Sequence, residues 1–167
     1  PYCIGNWCPK TYGGGYYGRV TLLEAIARSL NSVPVQLAAQ VGRDRVAAVA
    51  RQFGIDLPAK PDWPFVIGAF EVHMIDHAAG YAVFANGGHK ITPYAVEEIR
   101  STTGRVLYDR NAEGRAPQRI FPADKIAALA GMLHNAVETG TGQRAKLDGI
   151  PAAGKTGTTQ SSRDAWF

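Results

Sequence analysis

Apolar residues recur at helical spacing in five stretches of this chain. Leu22, Leu23, Ile26, Ala27 and Leu30 stand three and four apart, which predicts a helix over about 22–30. Thr21, with Glu24 three residues on, supplies the capping box that would start it, and Asn31 would end it. Pro34 suits the first turn of a short second helix, 34–41, closed by Gly42. Val46, Val49, Ala50 and Phe53 predict a third, stopped by Gly54. Residues 71–85 read as a helix apolar nearly all round (Val72, Ile75, Ala79, Ala82, Val83), hence buried, with Asn86-Gly87-Gly88 as its stop. The fifth, 124–139, lines up Ile126, Leu129, Ala130, Leu133, Ala136 and Val137, and ends at Gly140-Thr141-Gly142.

Strand-like composition appears in two places. Residues 94–101 and 105–108 flank Thr103-Gly104 and predict a hairpin. Residues 152–159 and 165–167 read as strands joined by a polar turn over 160–163. Between the elements lie a glycine- and aromatic-rich loop over 1–19, an irregular stretch around Pro58, Pro61 and Pro64, and a polar loop over 111–119. No internal repeat is visible. The pattern is mostly helical with two strand pairs, an α/β (α+β) chain.

Composition narrows the classes. A length of 167 residues corresponds to about one domain, and 46% apolar residues exclude a disordered or collagen-like chain. Nineteen glycines imply many tight turns. No apolar run reaches the ~18–20 residues of a membrane span, and nothing reads as a signal peptide. The net charge is +4, but the arginines are scattered singly from Arg19 to Arg163. A nucleic-acid-binding chain would gather them on one helix or stripe, so no nucleic-acid partner is expected. Cys3 and Cys8 cannot complete a zinc site alone. They could form a local disulfide in an oxidising compartment or remain two free thiols elsewhere. The chain opens at Pro1 and stops inside the apolar run Ala165-Trp166-Phe167, which suggests a piece of a longer protein, incomplete at both ends.

Three motifs could carry chemistry. Gly149-Ile150-Pro151-Ala152-Ala153-Gly154-Lys155-Thr156 matches the phosphate-binding loop pattern. Such a loop needs a strand before it and a helix after it, and the flanking residues promise neither. His73-Met74-Ile75-Asp76-His77 places two histidines four apart beside an acid, resembling a zinc helix. No third ligand is marked out, and a polar helix face accounts for these residues, so no metal is expected. The third is Lys155-Thr156-Gly157 read as K-T-G on a strand, together with Ser29-Leu30-Asn31, an S-x-N lying 126 residues upstream. A strand-borne Lys and Thr can receive a substrate carboxylate. A Ser–Asn pair at a helix end can pass a proton and hold an amide. The glycine lets a substrate backbone lie along the strand edge.

The likeness extends beyond the tripeptides. The segment from Thr21 to Asn31, then Tyr81-Ala82-Val83-Phe84-Ala85-Asn86-Gly87-Gly88, Gly140-Thr141-Gly142, the run from Ala153 to Gln160, and Asp164-Ala165-Trp166-Phe167 resemble class A penicillin-binding proteins, in the family's order. The resemblance covers the chain from about Tyr12 to its last residue. It implies part of a transpeptidase domain of the penicillin-recognising, β-lactamase-like fold, an antiparallel sheet flanked by helices. It implies cross-linking of peptidoglycan stem peptides ending in D-Ala-D-Ala by serine acyl transfer, with β-lactam antibiotics acylating the same serine and no cofactor. Ser29 would relay a proton to the leaving group, and Asn31 would bond the substrate amide and the general-base lysine. Lys155 would place positive charge near Ser29 and the substrate carboxylate. Thr156 and Thr158 would bind that carboxylate beside Gly157, and the Thr158 N–H would be half of an oxyanion hole. The resemblance further implies work on the periplasmic face of the inner membrane, in a parent protein anchored through a segment outside this chain.

One departure is large. The family's nucleophile lies in an S-x-x-K upstream of S-x-N, and Ser29, Ser32, Ser101, Ser161 and Ser162 all lack a lysine three residues later. The 167 residues alone are therefore expected to be inactive. The smaller departures are His73-Met74, where the family has a Thr-Pro-like helix entry, and the two cysteines. A β-lactamase or D,D-carboxypeptidase-type hydrolase would share S-x-N and K-T-G, but the longer matching blocks favour the transpeptidase. A non-catalytic module would gain weight only if the parent also lacks S-x-x-K.

Overall fold

Helix α5 (Ala123–Thr139) is the longest element, and the core forms along one of its faces. Ile126, Leu133, Ala136 and Val137 are buried there, the i, i+7, i+10, i+11 stripe of an amphipathic helix. Helices α1 (Leu22–Ala27) and α4 (Met74–Ala85) pack on it. Helix α2 (Ser32–Val41) contributes Val35, which with Val83 of α4 and Val137 is wholly removed from solvent. Burying a side chain of this size contributes about 1.5–3 kcal/mol. Helix α3 (Arg43–Gln52) lies against α2, and a 3-10 turn over Trp63–Ile67 packs on both. The computed structural model describes residues 2–114, 116–159 and 165–167.

The strands form three antiparallel pairs. β1 (His89–Lys90) pairs with β4 (Gln118–Arg119), β2 (Glu98–Arg100) with β3 (Val106–Asp109), and β5 (Gly157–Thr158) with β6 (Ala165–Trp166). In the last pair Gly157 faces Trp166 and Thr158 faces Ala165. The class is the expected α+β, although the described residues hold these separate pairs rather than one continuous sheet.

Several elements depart from the sequence pattern. α1 stops at Ala27, three residues short of the predicted end, because Leu30 N–H reaches back to the Ala25 carbonyl and closes the helix. The proline-rich stretch contains the 3-10 turn, and Arg51 Nη2 pins what precedes it by donating to the carbonyls of Leu57, Pro58 and Ala59, at 2.5 Å for Pro58. The polar 111–119 loop holds a short 3-10 turn, Asn111–Glu113, and β4. α4 starts at Met74 rather than residue 71, and its apolar surface is not all buried: Met74 and Ile75 are exposed while Gly80 and Val83 are covered. Periodicity reports which residues are apolar, not how many neighbours surround them. The 152–159 strand shrinks to Gly157–Thr158, and the proposed 160–163 turn lies outside the described residues. Cys3 and Cys8 form a disulfide, across a loop in which Ile4 and Trp7 pair as an isolated bridge.

Candidate active site

The site begins at the end of α1. Ser29 N–H donates to the Ile26 carbonyl at 3.1 Å and Leu30 N–H to the Ala25 carbonyl at 2.9 Å. These are the two bonds of a Schellman helix end. The residue after the C-cap must then be left-handed, a place usually taken by glycine. Here it is Ser29, at φ 56°, the only non-glycine residue with positive φ among those described. A left-handed backbone costs an L-residue about 1–2 kcal/mol. Leu30, buried, anchors the turn from below. The local fold thus holds the Ser29 hydroxyl in a strained, fixed position.

The last carbonyl of α1, on Ala27, is satisfied from the far side of the sequence. Thr141 N–H donates to it at 3.0 Å. The approach is so close that a Cβ on Gly140 would stand 2.3 Å from the same oxygen, so only glycine fits there. The turn that ends α5 therefore clamps the end of α1.

α5 also carries the other half of the site. His134 Nδ1 donates to the Ala152 carbonyl at 2.8 Å, and Gly154 N–H donates to the Leu133 carbonyl at 3.3 Å. The chain then passes through Lys155 and Thr156 into β5. Lys155 Nζ donates to Ser29 Oγ at 2.8 Å, to the Thr156 carbonyl at 2.9 Å and, more distantly, to Thr156 Oγ1 at 3.4 Å. Thr156 Oγ1 shares a 2.8 Å hydrogen bond with Thr141 Oγ1. Lys155 is half-buried, and this desolvation lowers its pKa below the ordinary lysine value. The cluster is thus a serine hydroxyl, two threonine hydroxyls and a partly desolvated ammonium. Such a group can receive an anion and lend or take a proton.

Asn31 does not join this cluster: its Nδ2 donates to the Lys10 carbonyl at 2.8 Å. Gly157 and Thr158 are exposed on β5, next to the cluster in sequence. Thr141 is a member that the sequence marked only as part of a Gly-Thr-Gly block, with no role attached. No local pattern could have paired its hydroxyl with one fifteen residues away. The phosphate-loop pattern has no supporting context, since the strand β5 follows Thr156 where that loop needs a helix. His73 precedes α4, and the His77 ring packs against Tyr81 and Trp166 at 5.1 and 5.4 Å between centroids. Among the described residues no three His, Cys, Asp or Glu side chains are gathered to hold a metal ion.

Fold and arrangement define the class: a mixed α/β domain of the penicillin-recognising transpeptidases. The chain belongs to the penicillin-binding protein transpeptidase domain family, whose model matches residues 2–165. It is 36% identical to penicillin-binding protein 1A of Aquifex aeolicus, over 97% of this chain and 22% of that protein. The chain spans about a quarter of the length of the curated relatives it matches. Among solved structures it resembles the penicillin-binding protein PonA1 from Mycobacterium tuberculosis, with a TM-score of 0.88 and 25% identity, over 99% of this chain and 49% of that one. It also resembles penicillin-binding protein A from M. tuberculosis in its imipenem acyl-enzyme complex, with a TM-score of 0.75 and 28% identity, over 90% of this chain and 39% of that one.

Proposed function

We propose that these residues form the carboxylate-binding and proton-relay half of a peptidoglycan D,D-transpeptidase site. The observation that carries this reading is the 2.8 Å hydrogen bond from Lys155 to Ser29, which joins K-T-G to S-x-N across 126 residues. The C-terminal carboxylate of a D-Ala-D-Ala stem peptide would be received by the Thr156 and Thr158 hydroxyls, as charge-assisted hydrogen bonds, beside the positive charge of the Lys155 ammonium, whose three protons go to Ser29 Oγ, the Thr156 carbonyl and Thr156 Oγ1. Ser29 would pass a proton to the departing amine, with Lys155 keeping its hydroxyl oriented. The Thr158 N–H would donate to the developing oxyanion. Asn31 would offer its side-chain oxygen to the substrate amide while its Nδ2 stays on Lys10.

No serine among the 167 residues has a lysine three later, so on this reading the nucleophilic serine and its general-base lysine lie outside them. Residues outside this chain would supply them together with the second oxyanion donor. β-Lactams would occupy the same place, a reading supported by the imipenem acyl-enzyme complex of the similar penicillin-binding protein A. The relatives are penicillin-binding proteins, which favours transpeptidation over a hydrolase of the same fold. The Cys3–Cys8 disulfide supports work in an oxidising compartment outside the cytoplasm. On the family reading that work would fall on the periplasmic face, in a parent that would be anchored through a segment outside this chain. No helix among the described residues is long and apolar enough to cross a membrane.

The test compares the 167-residue chain with a polypeptide extended upstream through an S-x-x-K, each treated with a fluorescent penicillin and assayed for D-alanyl transfer. Labelling of the extended form only, lost when its S-x-x-K serine becomes alanine and slowed by Lys155→Ala, is the expected result. Stoichiometric labelling of the 167-residue chain would make one of its own serines the nucleophile and overturn the relay role of Ser29.

A further inference from the structure

We infer that Thr141 is a positioning residue for carboxylate recognition, aiming the Thr156 hydroxyl proton at the ligand while tying the Ser29 helix end to the same turn. The inference rests on the carboxylate reading of Lys155 and Thr156 given above. Thr141 uses both its backbone and its side chain across the site. Its N–H holds the Ala27 carbonyl at 3.0 Å, two residues before Ser29, and its hydroxyl meets Thr156 Oγ1 at 2.8 Å.

The direction of that hydroxyl bond decides its use. A threonine hydroxyl has one proton to donate and can accept two bonds. A carboxylate can only accept, so Thr156 must spend its single proton on it. Thr156 Oγ1 can then keep its contact with Thr141 only by accepting. Thr141 must be the donor, and among the described residues its hydroxyl has no other partner. With Thr141 donating and Lys155 Nζ at 3.4 Å on the same oxygen, both accepting positions of Thr156 are filled. Its own proton is then the position left for a ligand, before any ligand arrives. Without the Thr141 hydroxyl, the Thr156 proton is free to turn, and the carboxylate must orient it. Because Thr141 sits between Gly140, pressed on the Ala27 carbonyl, and Gly142, buried, its backbone cannot drift to escape this geometry.

The experiment uses a polypeptide carrying this chain together with an S-x-x-K, and two probes: benzylpenicillin, which bears the carboxylate, and its methyl ester, which does not. The measured quantity is the ratio of their second-order acylation constants, which cancels any difference in the folded fraction. Thr141→Val should lower the carboxylate-to-ester ratio about tenfold, the scale of one hydrogen bond to a charged group. Thr141→Ser, which keeps the hydroxyl, should restore it. Thr141→Val that slows both probes equally, or Thr141→Ser that fails to restore the ratio, would overturn the inference. Thr156→Val serves as the control: if it leaves the ratio unchanged, the carboxylate reading itself is wrong, whereas a wild-type polypeptide that neither probe acylates overturns the acyl-transfer reading and the inference with it.

Discussion

Ser29 accepts a hydrogen bond from Lys155 at 2.8 Å while its own backbone is held left-handed at φ 56°. Strain and hydroxyl sit on one residue, and substitutions separate them. Ser29→Ala removes the hydroxyl and keeps the strain; Ser29→Gly removes both. The glycine variant should be more stable than the alanine variant by about 1 kcal/mol, the left-handed penalty less the entropy glycine adds to the unfolded chain. Denaturant unfolding of the two proteins measures this. An alanine variant as stable as the glycine variant would show that position 29 stores no strain.

Lys155 leads to a pH dependence with a definite sign. Partial burial disfavours its charged form, so its folded pKa lies below the ordinary 10.5. Between the folded pKa and 10.5 the unfolded chain binds more protons, so stability from this group rises with pH through that window. Below the folded pKa the full penalty of a partly desolvated ammonium applies. NMR titration of the Lys155 side chain should give a midpoint below 10.5. Ser29→Ala should lower it further, since the serine oxygen favours the ammonium. A midpoint at or above the ordinary value would contradict the desolvation argument.

The helices were legible because their apolar residues repeat at helical spacing: α5 was expected at 124–139 and runs over Ala123–Thr139. What the pattern missed is set by distant partners. β4 pairs only two residues, too few for alternation to register, and it exists because His89 faces Arg119. α1 ends early through bonds between Leu30 and Ala25 and between Thr141 and Ala27, and the second of these spans more than a hundred residues. Ser29 and Lys155 could be named from their tripeptides, but Thr141 could not. Its role depends on an approach that the structure alone displays.

Gly154 lies beneath the Phe167 ring, where a Cβ would stand 2.5 Å from the nearest ring carbon. Gly154→Ala must therefore push the ring, and with it the end of the β5–β6 pair that follows Lys155. The Phe167 ring is exposed and can swing aside, so the cost should lie at or below the low end of core overpacking, about 1 kcal/mol. The cost should shrink when Phe167 is first replaced by leucine, because the clashing atoms are gone. A double-mutant cycle on unfolding free energy checks this, and additive effects of the two substitutions would show that the contact is not the cause.

The Cys3–Cys8 disulfide should stabilise both the fold and the setting of Asn31. It closes a loop with a sequence separation of five, for which the chain-entropy estimate is about 2 kcal/mol. Pro9, immediately after Cys8, is buried, and the next residue, Lys10, provides the carbonyl that receives Asn31 Nδ2 at 2.8 Å. Reduction frees the loop that leads into this contact without altering any residue of the Ser29–Lys155–Thr156–Thr141 cluster. Unfolding in reductant should therefore lose about 2 kcal/mol relative to the oxidised protein. The Asn31 side-chain amide protons should exchange with solvent faster, while the Lys155 titration stays in place. The double variant Cys3→Ser/Cys8→Ser should match the reduced protein in all three measurements. If Asn31 exchange is the same in the oxidised and reduced proteins, the disulfide holds only its own loop and the link through Pro9 and Lys10 is broken.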